Sequence, residues 1–537
     1  MQGNNYSKKM LAIALIAGLA ILGAAGCGGS GKGAATAVAG GEKTYTVADP
    51  TGDWGFPSPY AHYARGPGYI RMSLIFDTLI WKDDRGHLPA LARSWQYSRE
   101  ENAYTFILQD NVNWHDEKKF TSRDVVFTFN YIKKHPLPMV NAGAVERAEA
   151  MGDHEVKLYL NKPYAPFLDL IAASLPILPE HIWKDIGDPV RFTRREALTG
   201  TGPFTLTDYN KEQGTYLYTA YDGYYQGRSK TGRIKFVKMN SAVVAAALRN
   251  KQVNAAQVPP ELSGQLGREG FKVLQGKSDF LAKLAVNHQR EPMNSKEFRR
   301  ALALAIDRPA LVSTCLRGHG TPGSPGLVPP DNPWHNPGPS EQAIYNPDQA
   351  REILGRLGYQ KSGNYLEKGG RVLELELLIS GGSNIPGYPG EREGEMIRSQ
   401  LEKAGIKINL RGLEQKSLDS RVGEAGFDLA LLGHGGMGGD PDYLPRFVSD
   451  QWFNSANYLS NTELNEALAR QKGTVDQAKR KALVDRIQEL LALDLPAIPL
   501  YYPTWYWAHD GSLNLFYTIQ GIGAGTPIPL NKMSFVK

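Results

Sequence analysis

Residues 104–129 are YTFILQDNVNWHDEKKFTSRDVVFTF, and this stretch decides the class of fold. Its first half predicts two short strands, with Tyr104 and Phe106 on one face, because side chains alternate between the faces of a strand. Its second half predicts a helix, since Thr121 as N-cap and Asp124 at the third helical position precede apolar residues at helical spacing. Strands followed by a capped helix indicate a mixed α/β protein.

Strands and helices alternate in the rest of the chain as well. Predicted strands are TYTVAD (44–49), TYLYTAYDGYY (215–225), GRIKFVKM (232–239) and FDLALLG (427–433), and predicted helices lie in SAVVAAALRNKQVNAAQV (241–258, ending in a strand), SKEFRRALALAIDRPALVSTCL (295–316, a helix pair), NPDQAREILGRLGY (346–359) and GEREGEMIRSQLEKAGI (390–406). No internal repeat is present. The predicted fold class is therefore α/β.

The N-terminus resembles a bacterial lipoprotein signal. Residues 8–27 contain two lysines, an apolar run over 10–22 and three small residues directly before Cys27. The resemblance implies that residues 1–26 are a removed signal peptide and that Cys27 carries lipid. The alternative is an ordinary cleaved signal with a chance cysteine, because Ala stands three residues before Cys27, where Leu is usual. Residues 28–42 are rich in Gly and Ala, which predicts a flexible tether.

Size and composition exclude several classes of protein. The chain has 537 residues, 42% hydrophobic and 22% charged, with a net charge of +6, which is typical of a globular protein with two or three domains. Its Lys and Arg residues are interspersed with acidic ones, so we expect no nucleic-acid partner. If Cys27 carries lipid, Cys315 is the one cysteine left, and no intrachain disulfide can form.

A glycine-rich stretch, here called the glycine loop (residues 433–439, GHGGMGG), follows the predicted strand FDLALLG. It satisfies the G-x-G-x-x-G pattern of dinucleotide sites, which also requires a helix to begin there. Asp440-Pro441 instead predicts a turn, so we interpret the glycine loop as a cleft loop where backbone approaches a ligand.

Segments in a fixed order resemble the peptide/nickel-type solute-binding proteins of ABC importers. They are LIFDTLIWKDDRGHLPALARSW (74–95), YTFILQDNVNWHDEKKFTSRDVVFTF (104–129), GTGPFTLTDY (200–209), DGYYQGRSKTGRIKFVKM (222–239), LAKLAVNHQREPMNSKEFRRALALAIDR (281–308), YNPDQAREILGRLGY (345–359), FDLALLGHGGMGGDPD (427–442) and LPAIPLYYPTWYW (495–507). The resemblance covers nearly the whole mature chain. In GTGPF, Gly200, Gly202 and Pro203 predict a sharp turn that starts a strand near a lobe junction.

The resemblance implies a two-lobed periplasmic-binding-protein-like fold (type II, cluster C) with an extra small domain. The implied division is lobe I from residues 43–75, 188–278 and 505–537, the small domain from 76–187, and lobe II from 279–504. The lobes are expected to close over a ligand by a hinge motion. The implied partners are a peptide or small-molecule ligand, an ABC permease with its ATPase, and the membrane surface through the lipid. We expect an extracytoplasmic monomer without a cofactor.

The glycine loop supplies two of the predicted ligand-binding residues, His434 and Met437, and Asp440 directly after it is a third. Peptide-binding members of the family generally place an aspartate near the position of Met437, and for a peptide ligand Asp440 or Asp442 could serve instead. His434 and Met437 suit a softer or neutral ligand, such as a metal chelate that a histidine completes. No metal site is predicted apart from that use of His434. The alternative for both residues is a structural role.

Aromatic and basic residues complete the predicted site. Tyr63 and Arg65 lie in an N-terminal loop that comes near the cleft in the family, and Arg65 suits a carboxylate. Trp452 and Tyr458 follow the glycine loop and are expected to line the cleft or to be core aromatics. For each, a solvated or packing role is the alternative.

Two other functions stay open at this point. One is a lipid-anchored extracellular hydrolase, and the other is an oligosaccharide-binding protein used in sensing. A hydrolase requires a nucleophile with its base or a metal cluster, and the sequence has no G-x-S-x-G, HExxH or Walker pattern. His115-Asp116 resembles a catalytic pair but is expected to be structural in this family. We therefore predict a binding protein and not an enzyme.

Overall fold

The computed structural model describes residues 43–536, except 51, 65, 84, 138, 277, 340–343, 382–387, 450–457 and 516–529. The predicted lipid-bearing Cys27, with its signal and tether, lies outside the described residues. Arg65 and Trp452 lie outside them as well.

The strands of the described residues follow in chain order. They are β1 Thr44–Asp49, β2 Ile80–Asp83, β3 Gly86–Pro89, β4 Ala92–Ser98, β5 Ala103–Leu108, β6 Val145–Ala150, β7 Glu155–Leu160, β8 Phe204–Asn210, β9 Thr215–Ala220, β10 Arg233–Lys238, β11 Ala255–Val258, β12 Lys272–Gln275, β13 Leu281–Val286, β14 Gly320–Pro322, β15 Gln360–Ser362, β16 Tyr365–Lys368, β17 Arg371–Val372, β18 Glu374–Ser380, β19 Lys407–Leu413, β20 Leu429–His434, β21 Ala497–Pro503 and β22 Tyr506–His509.

The α-helices alternate with these strands, which confirms the predicted α/β class. They are α1 Gly66–Ser73, α2 Ser122–Lys134, α3 Glu180–Trp183, α4 Val244–Arg249, α5 Pro260–Arg268, α6 Lys296–Ala305, α7 Arg308–Cys315, α8 Pro347–Arg356, α9 Glu391–Lys403, α10 Gln415–Gly423, α11 Arg446–Ser449, α12 Thr462–Gly473, α13 Gln477–Asp494 and α14 Met533–Val536. Among them, none combines the length and the apolar character that crossing a bilayer requires.

A seven-stranded sheet has the order β12-β22-β11-β1-β10-β9-β8. Its strand β1 is parallel to β10 and β11, as expected of strands joined through other elements. Tyr45 and Val47 of β1 are buried in one hydrophobic cluster with Tyr216, Tyr218 and Phe236. The alternating pattern predicted for TYTVAD is therefore confirmed, and much of the tyrosine content serves this core.

A six-stranded sheet has the order β14-β21-β13-β20-β18-β19. Its central strand β13 is buried along its whole length, because both faces of the sheet are covered. Ala282, Leu284 and Val286 pack into one hydrophobic cluster, which includes residues of α6 and α9. Leu281 and Ala285 enter two other clusters on the opposite face.

A four-stranded antiparallel sheet, β4-β5-β7-β6, contains the first part of the 104–129 stretch. Tyr104 and Phe106 are buried as predicted, and α2 begins after Thr121, whose N–H donates to the Asp124 carboxylate at 2.9 Å. The second predicted strand is wrong. Residues 109–121 form a turn with a single bridge, since His115 is drawn to the distant turn at residues 200–202.

That distant turn joins the four-stranded sheet to the seven-stranded sheet. A Cβ on Gly200 would lie 2.0 Å from the Ile75 carbonyl oxygen, and one on Gly202 would lie 2.6 Å from it. Only glycine permits so close a backbone approach, and β8 begins directly afterwards at Phe204. The prediction that GTGPF starts a strand is confirmed.

Candidate functional site

The chain crosses between the two large sheets at two adjacent places. One crossing joins β12, which ends at Gln275, to β13, and the other joins β21, which ends at Pro503, to β22. The Gly276 N–H donates to the Trp505 carbonyl at 2.8 Å, so the two crossing segments are paired. The two sheets therefore meet along one connection, and any opening between them must occur beside it.

A cavity of about 310 Å³ lies beside these crossings. Both large sheets and their helices contribute to its wall. The lining residues are Ser241, Gln257, Val258, Pro259, Pro260, Glu261, Cys315, Leu316, Arg317, His319, Arg392, Pro503, Thr504, Trp505 and Tyr506. Its volume is at the lower end of the range for small-molecule sites.

Arginine and glutamate side chains are the charged groups of this cavity. Arg317 has a left-handed backbone (φ +52°) and lies 3.8 Å from the Glu261 carboxylate. Arg392, at the start of α9, donates to the Thr314 carbonyl at 3.0 Å. Two guanidinium groups beside one carboxylate give the cavity a positive balance that suits an anionic group such as a carboxylate.

Aromatic rings line the approach to the crossings. Tyr506, which pairs with β11, has its hydroxyl 3.2 Å from His319 Nδ1. The Phe280 ring centroid is 6.2 Å from that of Trp505, edge to face, and 5.7 Å from that of Tyr388. These rings give the crossing an amphipathic wall, which suits a ligand with both apolar and polar parts.

Gly433, the first residue of the glycine loop, packs against the Phe280 ring. A Cβ on Gly433 would lie 2.0 Å from Phe280 Cζ, and Gly436 has φ +85°. These two positions therefore require glycine, the first for a close approach and the second for its backbone conformation. No helix begins at the glycine loop, whose described continuation is a short 3₁₀ turn at Pro441–Tyr443.

Asp279, in the first crossing segment, is hydrogen-bonded to the glycine loop. Its Oδ1 accepts a hydrogen bond from the Gly436 N–H at 3.1 Å, and its backbone carbonyl accepts from the Met437 N–H at 2.9 Å. Burial raises the pKa of Asp279 to about 7, although hydrogen bonds from backbone N–H groups of the glycine loop act in the opposite direction. The glycine loop and the crossing are therefore tied through one carboxyl group that titrates near neutral pH.

Two of the predicted site residues, Met437 and Asp440, make structural contacts inside the protein. Met437 is fully buried in a hydrophobic cluster with Tyr443 and Leu464. Asp440 is buried and both its oxygens accept from Arg480, each at 2.6 Å. Their contact with a ligand stays a prediction, and the contacts observed here are structural.

His434 is the last residue of β20, where it pairs with Leu281 of β13, and its side chain is half-buried. It therefore stands at the carboxyl end of a strand next to the crossing. Tyr458 is buried, and its hydroxyl donates to Asp494 at 2.6 Å, which is the core role that the sequence left open.

Tyr63 lies in a different loop, which we call the aromatic loop (residues 53–63), after β1. Its hydroxyl donates to Asp53 at 3.1 Å, and 48% of the residue is exposed. Asp53 also lies 2.7 Å from the Tyr209 hydroxyl and 3.1 Å from the Tyr216 hydroxyl. Burial raises the pKa of Asp53, but these hydroxyls and the Gly55 N–H outweigh it and leave the pKa below its usual value.

The predicted residues therefore belong to two groups. Tyr63 lies in the loop that follows β1 of the seven-stranded sheet, whereas His434 ends β20 of the six-stranded sheet and Met437 and Asp440 follow it. Among the described residues, none of these four lines the cavity beside the crossings.

The sequence analysis missed the polar residues of that cavity. Arg317 and Arg392 stand in different helical regions, and nothing in their spacing brings them together. Trp505 and Tyr506 belong to the quoted aromatic cluster near the C-terminus, which was the available signal. Over the same described ranges, no three His, Cys, Asp or Glu side chains are grouped so as to hold a metal ion.

His115 has a structural role in the described structure. Its Nε2 lies 2.9 Å from the Gly202 carbonyl, and its Nδ1 accepts from the Gly200 N–H at 3.3 Å. Burial lowers the pKa of His115, which favours the neutral ring with Nε2 as donor. The ring therefore fastens the turn that joins two sheets.

Comparison with known protein families identifies one that covers most of this chain. The family model described as bacterial extracellular solute-binding proteins, family 5, matches residues 88–455. The dipeptide-binding protein of Escherichia coli (strain K12) is 25% identical over 449 residues, which cover 78% of this chain and 81% of the relative.

Solved structures share the fold at lower identity. NikZ from Campylobacter jejuni, in complex with Ni(L-His), superposes with a TM-score of 0.75 at 23% identity and covers 92% of this chain and 99% of that one. DppA from Helicobacter pylori, in complex with the peptide STSA, gives a TM-score of 0.71 at 21% identity and covers 90% and 97%. These likenesses confirm the predicted two-lobed α/β binding-protein fold.

Proposed function

Since the chain belongs to the bacterial extracellular solute-binding proteins of family 5, we propose that it captures a short peptide or a nickel-type metal complex between its two large sheets and delivers it to the permease of an ABC importer. The observation that carries this proposal is the cavity of about 310 Å³ beside the paired crossings, with walls from both sheets. A ligand held by both walls stabilises one arrangement of the lobes, because it binds that arrangement more tightly than the others.

The chemistry of the cavity favours a solute that carries a carboxylate. Arg317 and Arg392 supply donors that match a carboxylate, and Trp505 and Tyr506 supply apolar surface beside them. A peptide C-terminus has this character, and so does the amino-acid chelator of a nickel complex. Relatives of both kinds exist, one named for dipeptides and one solved with Ni(L-His).

The predicted cleft residues complete this proposal. We propose that the solute extends from the cavity toward these residues, which are Tyr63, Arg65, His434, Met437, Asp440 and Trp452. Asp440, which is paired with Arg480, and Met437, which is buried, are proposed to support the glycine loop in addition to bordering the solute. His434 is proposed as the group that completes a metal chelate.

The division into lobes follows the sheets. We propose lobe I from residues 43–75, 188–278 and 505–537, a small domain from 76–187, and lobe II from 279–504. We also propose that Cys27 anchors a monomer by lipid outside the cytoplasm, and that the protein catalyses no reaction. The described strands support the division, since each of the three larger sheets falls within one of these parts.

Calorimetric titration of the full chain tests the function directly. The two probes are trialanine and Ni²⁺ mixed with L-histidine, and binding of one of them with a Kd below about 0.1 mM supports the proposal. Arg317→Ala is expected to weaken that binding at least about tenfold, because it removes a charge-assisted hydrogen bond. His434→Ala is expected to weaken the nickel complex and to leave trialanine unaffected.

Arg371→Ala is the matched control, since Arg371 is exposed on the separate three-stranded sheet β15-β16-β17. It should leave both affinities unchanged. Failure of the wild-type chain to bind either probe at 1 mM would contradict the proposed solute classes. Equal affinity of the wild type and Arg317→Ala would remove the cavity from the site.

A further inference from the structure

The six-stranded sheet has a second connection to the rest of the molecule, besides the crossings, and this one is not covalent. It lies between the four-stranded sheet and the six-stranded sheet. The Tyr164 hydroxyl, just after β7, donates to Asp442 Oδ2 at 2.9 Å, and the Ala165 N–H donates to the Lys472 carbonyl at 2.7 Å. These partners are about 300 residues apart in the chain, so the contact is purely tertiary.

The acceptor side of this contact is rigidly built. Within its own part of the molecule, Asp442 Oδ1 lies 3.2 Å from Lys472 Nζ and accepts from Gln471 Nε2 at 3.2 Å. The Asp442 N–H donates to Asp440 Oδ1 at 2.9 Å, and Asp440 is held by both arms of Arg480. Asp442 therefore meets Tyr164 as a fixed, ionised acceptor.

The donor side is equally well defined. Burial is the main cause that raises the pKa of Tyr164, with the charge of Asp442 adding to it, so the hydroxyl keeps its proton at all physiological pH values. Asp169, a few residues further on, is paired with Lys82 at 2.5 Å and with His87 at 2.8 Å. Lys82 and His87 belong to the two-stranded sheet β2-β3, and the Phe167 ring stacks on that of Tyr104 in β5 with centroids 4.3 Å apart, so the segment around Tyr164 is anchored to both sheets.

Hydrogen bonds join the region of the four-stranded sheet to the turn before β8 and to the C-terminal segment. His115 binds the turn at Gly200 and Gly202, and Lys532 binds both the Phe76 carbonyl, at 3.2 Å, and the Asp77 carboxylate. An opening rotation of the six-stranded sheet about the crossings is therefore expected to separate Tyr164 from Asp442. The contact can exist in one arrangement of the lobes and not in an opened one.

We propose that this contact is a closing latch: Tyr164 and Asp442 are positioning residues that stabilise the solute-bound arrangement without touching the solute. The inference rests on the proposed solute-binding function, and it adds residues that set affinity from outside the cavity. A latch that forms only on closure adds its free energy to the closed state, so its loss lowers the apparent affinity for every solute by the same factor.

Hydrogen exchange of the full chain, followed by mass spectrometry, tests the latch without solute, because the unliganded chain also samples the closed arrangement and the Ala165 amide exchanges only when the contact opens. The reporter is the Ala165 amide, whose hydrogen bond crosses the contact. In Tyr164→Phe this amide should exchange on the order of tenfold faster than in the wild type, because a hydrogen bond to a charged group is lost. Tyr97→Phe is the matched control, since the Tyr97 hydroxyl bonds Asn102 at 2.8 Å within the four-stranded sheet.

The Ala165 amide should exchange in Tyr97→Phe as in the wild type. Equal exchange in the wild type and in both variants would overturn the latch, whatever the solute. Faster exchange throughout β5 and β7 of Tyr164→Phe would overturn it too, because it would show a merely structural role for the hydroxyl.

Binding of trialanine and of Ni²⁺ with L-histidine gives the second readout. Tyr164→Phe and Asp442→Asn are expected to weaken whichever probe binds by a similar factor of about ten, mainly through faster dissociation. Unchanged affinity in both variants would overturn the latch while leaving the proposed function intact. Failure of the wild type to bind either probe would contradict the proposed function, and the exchange of Ala165 would still decide the latch.

Discussion

The aromatic loop and the glycine loop follow strands of the two large sheets, and each is held by one carboxylate in a different way. Asp53 receives the hydroxyls of Tyr63, Tyr209 and Tyr216 and keeps a pKa below the usual value. Asp279 receives backbone N–H groups of the glycine loop in a more buried place, and its pKa rises to about 7.

The difference shows that hydrogen bonds alone do not fix the charge of a carboxylate. Three tyrosine hydroxyls at a partly solvated loop outweigh the cost of burial, whereas the backbone amides at the crossing do not. The glycine loop needs a further support, and the buried pair of Asp440 and Arg480 supplies it. Tyrosine hydroxyls bonded to Asp53 therefore hold the aromatic loop. The glycine loop is held by Asp279 and by the ion pair between Asp440 and Arg480 that follows it.

The largest expected effect comes from removing that charge. Arg480→Leu leaves Asp440 buried without its partner, which should lower the free energy of unfolding by about 3–5 kcal/mol. Urea unfolding of the full chain measures it. Arg486→Leu, in the same helix α13, is the control, because its pair with Glu463 is exposed and should be worth less than about 1 kcal/mol. Similar losses in both variants would contradict a special role for the buried pair.

The pH dependence of stability sharpens the comparison of the two carboxylates. The pKa of Asp279 is higher in the folded state than in the unfolded chain, so the folded state binds more protons and its stability falls as pH rises from about 4 to about 7. Asp279→Asn removes this fall. Relative to the wild type, it should therefore gain on the order of 2–4 kcal/mol between pH 4 and pH 8, measured by urea unfolding at each pH.

Asp53→Asn should show the opposite sign. Because the pKa of Asp53 is depressed on folding, its stabilisation is present above the unfolded pKa and is lost as pH falls through the folded one. This variant should lose more stability, relative to the wild type, at pH 7 than at pH 3. Parallel pH profiles for Asp53→Asn and Asp279→Asn would contradict the assignment.

The smallest expected effect comes from enlarging Gly433, which is in close contact with the Phe280 ring. A Cβ at Gly433 would lie 2.0 Å from the Phe280 ring, so Gly433→Ala should cost about 1–3 kcal/mol through overpacking. Gly435→Ala is the control, since the nearest atom to its Cβ would be Asp279 Oδ2 at 4.0 Å, and it should stay within about 0.5 kcal/mol. Urea unfolding of both variants decides, and equal stabilities would show that the ring moves away at no cost.

The sequence predicted those parts of the fold that depend on neighbours in the chain. The capped helix α2, strand β1 and the turn before β8 each follow from a few consecutive residues. The predicted second strand near His115 failed because that histidine is bound to the turn around Gly200, far away in the chain. Local patterns cannot include such a partner.

The contacts that hold the glycine loop could not be predicted from the sequence for the same reason. Asp279 and Gly436 are 157 residues apart, and Asp440 and Arg480 are 40 apart, so no periodicity joins them. The position of Asp440 next to a glycine-rich turn predicts a ligand-binding carboxylate, but in the structure both its oxygens accept hydrogen bonds from Arg480 in α13. A charged residue near a cleft can bind a ligand or form a structural ion pair, and only its observed partner decides between the two roles.

The hydrogen bond between Gly276 and Trp505 has a mechanical consequence. Two separate strands between bodies would allow both swing and twist, but two strands bonded side by side behave as a flat ribbon. A ribbon bends readily across its face and resists shear within its plane. We therefore expect the two large sheets to open by a hinge rotation about the paired crossing segments. Each round of capture and release should follow this same rotation.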